Sequence, residues 1–349
     1  MKIKIIGVDL ANTIFVIHDV NAHGKTASKK RIKRNQMLTF FANLELWLVC
    51  MEPFGDAYHW ARKLSAIGRT VRLMASQFVK PYVKAMKSDA ADAEAVCEAV
   101  ASPITRFVPK KTAEQQAIIA VHCACKGFVK ARTAQTKIRG LLLGFRLVIP
   151  QGISHIAKKI SKILEDAENG LLDIMRPMIA RLAAHLSDLD RQGNELETQI
   201  QAWHWQKAES RRLAGIPGIG LLAASALVAW LGDAKTFDNG RRMAAWLRLV
   251  PKQHSSGGKP TLLGIRKRAD TYLRTLLIHG ARAVIRLSVD KAQTDTWVKR
   301  LRHRRHQNVA AVALANKNAR RLACKETVWA LLAHGRDYRP DYTPIPIAA

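Results

Sequence analysis

The stretch KIKIIGVDLANTIFVIHDV at residues 2–20 decides the fold class. Its first part, 2–8, is rich in β-branched residues and ends at Asp9, and 13–20 has the pattern of a second strand. Asn35 is expected to cap the first helix. Further strands are expected at 29–33, 46–51 and 70–75, and helices at 35–44 and 58–67. This alternation predicts an α/β domain with a mixed sheet.

The pattern changes to long helices from residue 113 onward. Apolar residues recur in steps of three, four or seven between 171 and 203, which is typical of a coiled coil. The region from 210 is helical and basic, with one conspicuous loop at 251–259. We therefore predict an α/β domain at 1–112, a helical, coiled-coil-like connector at 113–209, a helical domain at 210–336 and a loose tail at 337–349.

The net charge limits the possible partners. The 349 residues include 57 Lys and Arg against 27 Asp and Glu, which gives a formal charge of +30. A hydrophobic content of 48% excludes a disordered basic tail, because such tails lack the apolar residues needed for a core. A folded protein with this field attracts polyanions, and nucleic acid is the leading candidate. A surplus of charge that serves only solubility is the alternative.

Other classes of protein are excluded by composition. The first residues lack the charged, apolar and small-residue order of a signal peptide. The longest apolar run, 221–231, falls short of the roughly 20 residues that cross a bilayer. Five scattered cysteines show neither disulfide nor zinc spacing. We expect a cytoplasmic, nucleoid-associated protein without a membrane contact.

Four acids of the first domain are candidate metal ligands. Asp9 and Glu52 each follow a predicted strand, and Asp89 and Asp92 lie three residues apart on one face of a predicted helix. Mg²⁺ (or Mn²⁺) prefers carboxylate oxygens, and a pair of such ions assists phosphoryl transfer. Each acid taken singly is more often a capping residue. As a set in this strand order, the four resemble the site of RNase H-like (RuvC-like) nucleases.

The loop PKQHSSGGK at 251–259 is a second candidate site. Glycines after a serine let the backbone approach a phosphate, and a serine hydroxyl can attack phosphorus when cations hold the developing charge. From the loop alone, a flexible phosphate contact without a nucleophile is favoured. The loop contains two adjacent serines, Ser255 and Ser256. The nearby cations are Lys259, Arg266, Lys267, Arg268 and Arg274.

The segment IPGIG at 216–220 precedes an apolar helix. It resembles the hairpin of helix–hairpin–helix modules, in which backbone amides near glycines such as Gly218 and Gly220 contact DNA phosphate without reading the base sequence. A tight turn without any nucleic-acid contact is the alternative.

These motifs together resemble one family, the DEDD transposases of bacterial insertion sequences of the IS one-ten type, in particular the IS eleven-eleven subgroup. Piv-like DNA invertases are relatives of that family. The matching blocks run through most of the chain in family order. They are IIGVDLA at 5–11, ME at 51–52, HWARKL at 59–64, QFVKPYVK at 77–84, SDAADAEAVCEAV at 88–100, RFVPKKTAEQQA at 106–117, LEDAENGL at 164–171, IPGIG at 216–220, LVPKQHSSGGKPTLLGI at 249–265, YLRTLLIHGARAV at 272–284 and NVAAVALANK at 308–317.

The resemblance implies a RuvC-like domain joined by bridging helices to a second transposase domain that holds a catalytic serine. It makes Ser256 the nucleophile and implies metal ligation by Asp9, Glu52, Asp89 and Asp92. It also implies a structured noncoding guide RNA that pairs with target and donor DNA, and dimers that join into a tetramer. The chain departs from the family pattern at Arg248 and Ala269, where glycine is usual.

We therefore predict an RNA-guided DNA recombinase, or transposase, of an insertion sequence. It would bind double-stranded donor and target DNA and rejoin strands through a covalent phosphoserine with the help of magnesium. One alternative is a metal-dependent RuvC-like nuclease or Holliday-junction resolvase without serine chemistry. The other is a non-catalytic relic that binds DNA or RNA.

Overall fold

The fold is described from a computed structural model. It describes residues 4–21, 23, 25–44, 47–83, 88–103, 105–232, 237, 239–265, 271–287 and 296–321. The chain divides into two compact units. Unit 1 comprises 1–116 and 231–233, and unit 2 comprises 117–230 and 234–349. The domain boundaries expected from the sequence, at 112, 209 and 336, stay predictions.

Unit 1 is built on a six-stranded mixed sheet, which confirms the predicted α/β class. The strands are β1 (Ile5–Leu10), β2 (Ile14–Val20), β3 (Thr26–Lys33), β4 (Leu48–Met51), β5 (Thr70–Met74) and β6 (Phe107–Val108). Their order across the sheet is β3-β2-β1-β4-β5-β6. The pairs β1–β4 and β4–β5 are parallel, and the other neighbours are antiparallel.

Helices cover both faces of this sheet. They are α1 (Met37–Ala42), α2 (Ala57–Ala66), α3 (Ser76–Val79) and α4 (Asp89–Ala101). Ile6 and Val8 of β1 join a buried cluster with Trp60 and Leu64 of α2. On the other face, Cys50 of β4 is buried against α3 and α4. Because successive residues of a strand point to opposite faces, Gly7 and Asp9 belong to the α4 side.

Two details of unit 1 differ from the sequence-based expectation. Asp9 does not follow the first strand but is part of it, because the pairing of β1 with β2 continues to Leu10. Asn35 is not a helix cap, since it lies within a 3₁₀ turn at Arg34–Gln36 that precedes α1. In that turn the side chain of Gln36 accepts a hydrogen bond from the Lys33 amide at 3.0 Å.

The helices that follow are α5 (Ala113–Ala134), α6 (Ile138–Leu143), α7 (Ile153–Glu165), α8 (Met175–Gln206), α9 (Ala208–Ala214), α10 (Leu221–Leu231), α11 (Gly240–Trp246), α12 (Thr271–Leu287), α13 (Thr296–Arg304) and α14 (Gln307–Arg321). A 3₁₀ turn at Gln135–Lys137 separates α5 from α6. The predicted helical character of 113–143 is thus confirmed. Among the described residues, no helix is long and apolar enough to cross a membrane.

The apolar stripe predicted between 171 and 203 packs largely within the chain. Ile179 and Leu186 of α8 join a buried cluster with α6 and α7. Further along, Ile200 is buried against Ile118 and Cys125 of α5. The stripe is therefore explained by contacts inside unit 2, and the periodicity is not in itself a sign of a second copy.

Unit 2 also contains a small sheet that the sequence analysis did not predict. Strands β7 (Pro251–Ser256) and β8 (Lys259–Ile265) form an antiparallel hairpin. The expectation of a helical domain with a loop at 251–259 is therefore wrong for this segment. The reason is the pair Gly257–Gly258, whose φ angles of 57° and 74° suit the two-residue turn that matches the twist of a hairpin.

Candidate active site

The sheet of unit 1 places Asp9 and Glu52 side by side. Strands β1 and β4 are parallel neighbours in which Gly7 pairs with Cys50 and Val8 with Met51. Asp9 and Glu52 each come next along the chain, and the two-residue alternation puts both on the face covered by α4. The same end of two adjacent parallel strands thus carries two carboxylates.

Helix α4 brings the other two acids to this end of the sheet. A Cβ atom at Gly7 would lie 2.2 Å from the Ala93 carbonyl oxygen, so only glycine allows α4 to pack this closely on β1. Ser88 caps α4 by accepting a hydrogen bond from the Ala91 amide at 3.3 Å. Asp89 and Asp92 lie on one helix, as predicted, and they occupy its first turn.

The four carboxylates share one electrostatic environment around Asp9. Burial and, after it, the negative charges of Asp89, Asp92 and Glu52 together raise the pKa of Asp9 to about 6, against a smaller lowering by the hydrogen bond from the Leu10 amide. No three acidic, histidine or cysteine side chains in the described ranges stand close enough to form a ready metal site. Asp89, Asp92 and Glu52 are thus near enough to Asp9 to act on its charge, but no three of the four acids form a compact metal-binding cluster.

Ser76 is a member of this site that the sequence analysis missed. Its hydroxyl donates a hydrogen bond to Glu52 Oε2 at 2.5 Å. Ser76 begins α3 directly after β5, the strand next to β4. The contact orients the Glu52 carboxylate. Its sequence signal is a serine directly after the strand predicted at 70–75, a pattern too common to be selected.

The second candidate site is the tip of the β7–β8 hairpin. Every residue from 251 to 264 is exposed, and Ser256 is the last residue of β7 before the Gly257–Gly258 turn. A Cβ atom at either glycine would meet no atom within 4 Å. The glycines are thus required by their positive φ angles rather than by a close approach of the backbone.

The pairing of β7 with β8 separates the two serines. Ser256 pairs with Lys259 and His254 with Thr261, and these four side chains share one face of the hairpin. Ser255 pairs with Pro260 on the opposite face, where Gln253 Nε2 donates a hydrogen bond to Ser255 Oγ at 2.8 Å. Ser256 is therefore the serine on the face that carries a cation and an imidazole.

The remaining residues predicted to contact nucleic acid have different surroundings. Arg266, Lys267 and Arg268 lie outside the described residues. Arg274 is only 9% exposed, and this burial argues against a phosphate contact. The contact stays a prediction.

The predicted turn between α9 and α10 is confirmed. Gly218 has a φ angle of 88° and Gly220 is exposed just before α10. The turn packs on two later helices, because a Cβ atom at Gly280 would lie 1.9 Å from the Gly218 carbonyl oxygen and Asn318 Nδ2 donates to the Pro217 carbonyl at 2.9 Å. A phosphate contact by the exposed amides of this turn stays a prediction.

Comparison with known proteins identifies relatives along nearly the whole chain. A family model described as the transposase IS116/IS110/IS902 family matches residues 210–296. A probable family 20 transposase of Pseudomonas aeruginosa is 46% identical over 97% of this chain and 100% of its own length. The transposase for insertion sequence element IS1111A of Coxiella burnetii is 39% identical over 97% of this chain and 92% of its own. The transposase for IS1328 of Yersinia enterocolitica is 39% identical over 91% and 95%, respectively.

Proposed function

The chain belongs to the IS116/IS110/IS902 family of transposases, and from this membership we propose that it cuts and rejoins DNA strands through a covalent phosphoserine at Ser256. The observation that carries this proposal is the hairpin, which presents Ser256 at an exposed tip beside Lys259. A nucleophile that attacks a phosphodiester in duplex DNA must protrude from the protein, and a neighbouring ammonium group offsets the charge that develops on the phosphate oxygens.

The reaction conserves the energy of the phosphodiester. Ser256 Oγ forms a bond to phosphorus while the bond from phosphorus to a sugar oxygen breaks, and the serine proton ends on the released sugar hydroxyl. In the second step a sugar hydroxyl of another strand forms the new phosphodiester and displaces Ser256 Oγ, which regains a proton. Each step replaces one phosphate ester by another, so rejoining requires no nucleotide cofactor.

The acids of unit 1 are proposed to hold Mg²⁺ (or Mn²⁺). Their donor set fits a hard divalent cation because it consists of carboxylates alone, and the repulsion that raises the pKa of Asp9 is what such a cation relieves. Asp9, Glu52, Asp89 and Asp92 would be the ligands, with Glu52 oriented by Ser76. The bound metal would supply Lewis-acid stabilisation of the phosphate and of the leaving oxygen.

The strand order of unit 1 supports an RNase H-like (RuvC-like) domain. Acids at β1, at the end of β4 and at the start of α4 correspond to the layout expected from the sequence. A structured guide RNA and an assembly of dimers into a tetramer are proposed from the family resemblance alone. The charge of +30 suits the nucleic-acid partners, because a protein that holds RNA and two DNA duplexes needs a large positive surface.

The test uses labelled cognate DNA and electrophoresis under denaturing conditions. Wild-type protein should leave a labelled protein–DNA adduct, Ser256→Ala should leave none, and Ser255→Ala is the matched control that should retain it. An adduct of wild-type yield from Ser256→Ala would refute the nucleophile. Cleavage without any adduct, even in wild-type protein, would instead favour a nuclease or junction resolvase that uses the acids of unit 1 alone. Binding without cleavage would favour a relic.

A further inference from the structure

A basic groove between α12, α13 and the start of α14 has no part in the chemistry described above. It encloses about 410 Å³ and lies within unit 2. Its lining residues are His279, Arg282, Ala283, Ile285, Arg286, Arg302, Gln307 and Asn308. Three guanidinium groups thus face one cavity, and no carboxylate is among the described residues that line it.

Helical spacing places two of the arginines in line. Arg282 and Arg286 are four residues apart on α12, and His279 precedes Arg282 by one turn on the same face. Each of these side chains is exposed, as is Arg302 on α13. Like charges four residues apart on an exposed helix face repel one another weakly, and an anion bound in the groove would relieve that repulsion.

The walls of the groove are held in place by contacts that involve no carboxylate. Arg282 Nη2 donates a hydrogen bond to Asn308 Oδ1 at 3.2 Å, which orients the guanidinium without neutralising it. The ring of Trp297 on α13 lies 4.4 Å from Lys317 Nζ on α14, and Val298 is buried. These contacts dock α13 on α14 and keep Arg302 opposite α12. The positive charge of the groove is therefore preorganised.

We propose that this groove binds the phosphate groups of a nucleic-acid backbone, apart from the Ser256 hairpin and the acids of unit 1. Guanidinium groups bind phosphate oxygens through paired hydrogen bonds, and the start of α14 adds the positive end of a helix dipole. An open groove with exposed arginines suits a polymer that passes through it. Only the choice of nucleic acid as the polyanion rests on the proposed function.

The test compares three single substitutions that each remove one positive charge. Arg286→Gln and Arg302→Gln alter the groove, and Arg300→Gln is the matched control, because Arg300 is an exposed residue of α13 that does not line the groove. Binding of labelled duplex DNA and of double-stranded RNA is measured by fluorescence anisotropy between about 50 and 200 mM salt. All three variants are made in the Ser256→Ala protein, so that no strand is cut.

Each groove variant should weaken binding about tenfold and reduce the slope of log affinity against log salt by about 1. The control should change affinity by about twofold or less, since an exposed charge away from the phosphate is screened. A loss confined to DNA, or to RNA, assigns the groove to that nucleic acid, and a loss with both assigns it to either backbone. Equal losses in all three variants, or none in the groove variants, would overturn the proposal.

The outcome separates this inference from the proposed reaction. If Ser256→Ala still forms adducts while Arg302→Gln weakens binding, the phosphoserine mechanism fails and the groove stands. If adducts require Ser256 but the groove variants bind as the control does, the reaction stands and the groove assignment fails. Thermal unfolding of the exposed-site variants should match that of the parent protein, which excludes misfolding as the cause of a loss.

Discussion

Asp9→Asn should stabilise unit 1 at neutral pH when no divalent cation is present. Burial and the charges of Asp89, Asp92 and Glu52 raise the pKa of Asp9 from 3.8 to about 6. The folded protein therefore holds this proton more tightly than the unfolded chain does. The contribution to stability is fully present below pH 3.8 and is lost as the pH rises through about 6. Asparagine cannot ionise and avoids that loss.

The magnitude follows from the two pKa values. A difference of about two pH units at about 1.4 kcal/mol each gives a gain of about 3 kcal/mol at pH 8. This is an upper bound, because Asp9 is only partly buried and water screens its neighbours. At pH 4 the difference between variant and wild type should nearly vanish.

The assay is urea unfolding in a chelator at pH 4 and pH 8, followed by a probe in unit 1. Glu98→Gln removes an equal charge from an exposed position on α4 and controls for the general loss of an acid. The electrostatic reasoning would be refuted if Asp9→Asn showed no gain in the free energy of unfolding at pH 8, or the same gain at pH 4 and pH 8. Magnesium should then stabilise wild-type protein and not Asp9→Asn. A wild type that magnesium leaves unchanged would refute only the metal ligation.

Two further predictions concern unit 2. Arg248, directly after α11, has a φ angle of 57°, so urea unfolding should show that Arg248→Gly is more stable than Arg248→Ala by about 1 kcal/mol. At the control position Arg181, within α8, the glycine variant should instead be less stable than the alanine variant by about 1 kcal/mol. A glycine-minus-alanine difference of the same sign at both positions would contradict this prediction. Burial lowers the pKa of His122 from 6.5 to about 4. The neutral ring therefore contributes about 3 kcal/mol to the stability of the folded state above pH 6.5, and this contribution is lost as the pH falls to 4. Between these pH values the free energy of unfolding should fall more steeply with decreasing pH in wild-type protein than in His122→Gln. An equal pH dependence in the two proteins would count against the role of His122.

The His122 prediction rests on a buried polar network in unit 2. Tyr272 lies 2.9 Å from Nδ1 of the ring and Ser225 Oγ lies 3.2 Å from Nε2. Ser225 donates its own proton to the Leu221 carbonyl at 2.9 Å. It therefore accepts from Nε2–H, and Nδ1 accepts from the Tyr272 hydroxyl, which fixes the neutral tautomer. A second proton on Nδ1 would require the Tyr272 hydroxyl to change from donor to acceptor.

The Arg248 prediction rests on the way α11 ends. The Leu249 amide donates to the Ala244 carbonyl at 3.0 Å and the Arg248 amide to the Ala245 carbonyl at 3.1 Å. This pair of bonds is a Schellman motif, which requires a left-handed residue at Arg248. Arg248, which stands where the sequence resemblance predicts a glycine, therefore occupies a position with positive φ. The backbone angle gives that difference a physical cost.

The positions of the acids of unit 1 could be predicted from the sequence, because the ends of strands and helices are visible in it. Asp9 lies within β1 one residue before its end, Glu52 directly follows β4, and the Ser88 cap fixes where α4 begins. Their convergence could be expected because parallel strands end at a common edge of a sheet. The close packing that permits it depends on Gly7, whose role requires the distance to Ala93.

The hairpin and the groove were less accessible for different reasons. Gly257–Gly258 between two runs is a hairpin signal, but the interpretation of 251–259 as a phosphate loop took precedence over turn geometry. The groove joins Arg286 to Arg302 across a helix–helix packing arrangement that no local pattern specifies. Only the spacing of Arg282 and Arg286 on one helical face is visible in the sequence.

The exposure of the hairpin has a consequence for the timing of the reaction. A two-stranded sheet without a packed face has little stability of its own, so its amides should exchange rapidly with solvent in the free protein. The entropy of ordering β7 and β8 is then lost only when nucleic acid is bound. In the proposed reaction, the Ser256 hydroxyl would acquire a defined orientation only together with its substrate, and protein without substrate would attack other phosphodiesters less readily.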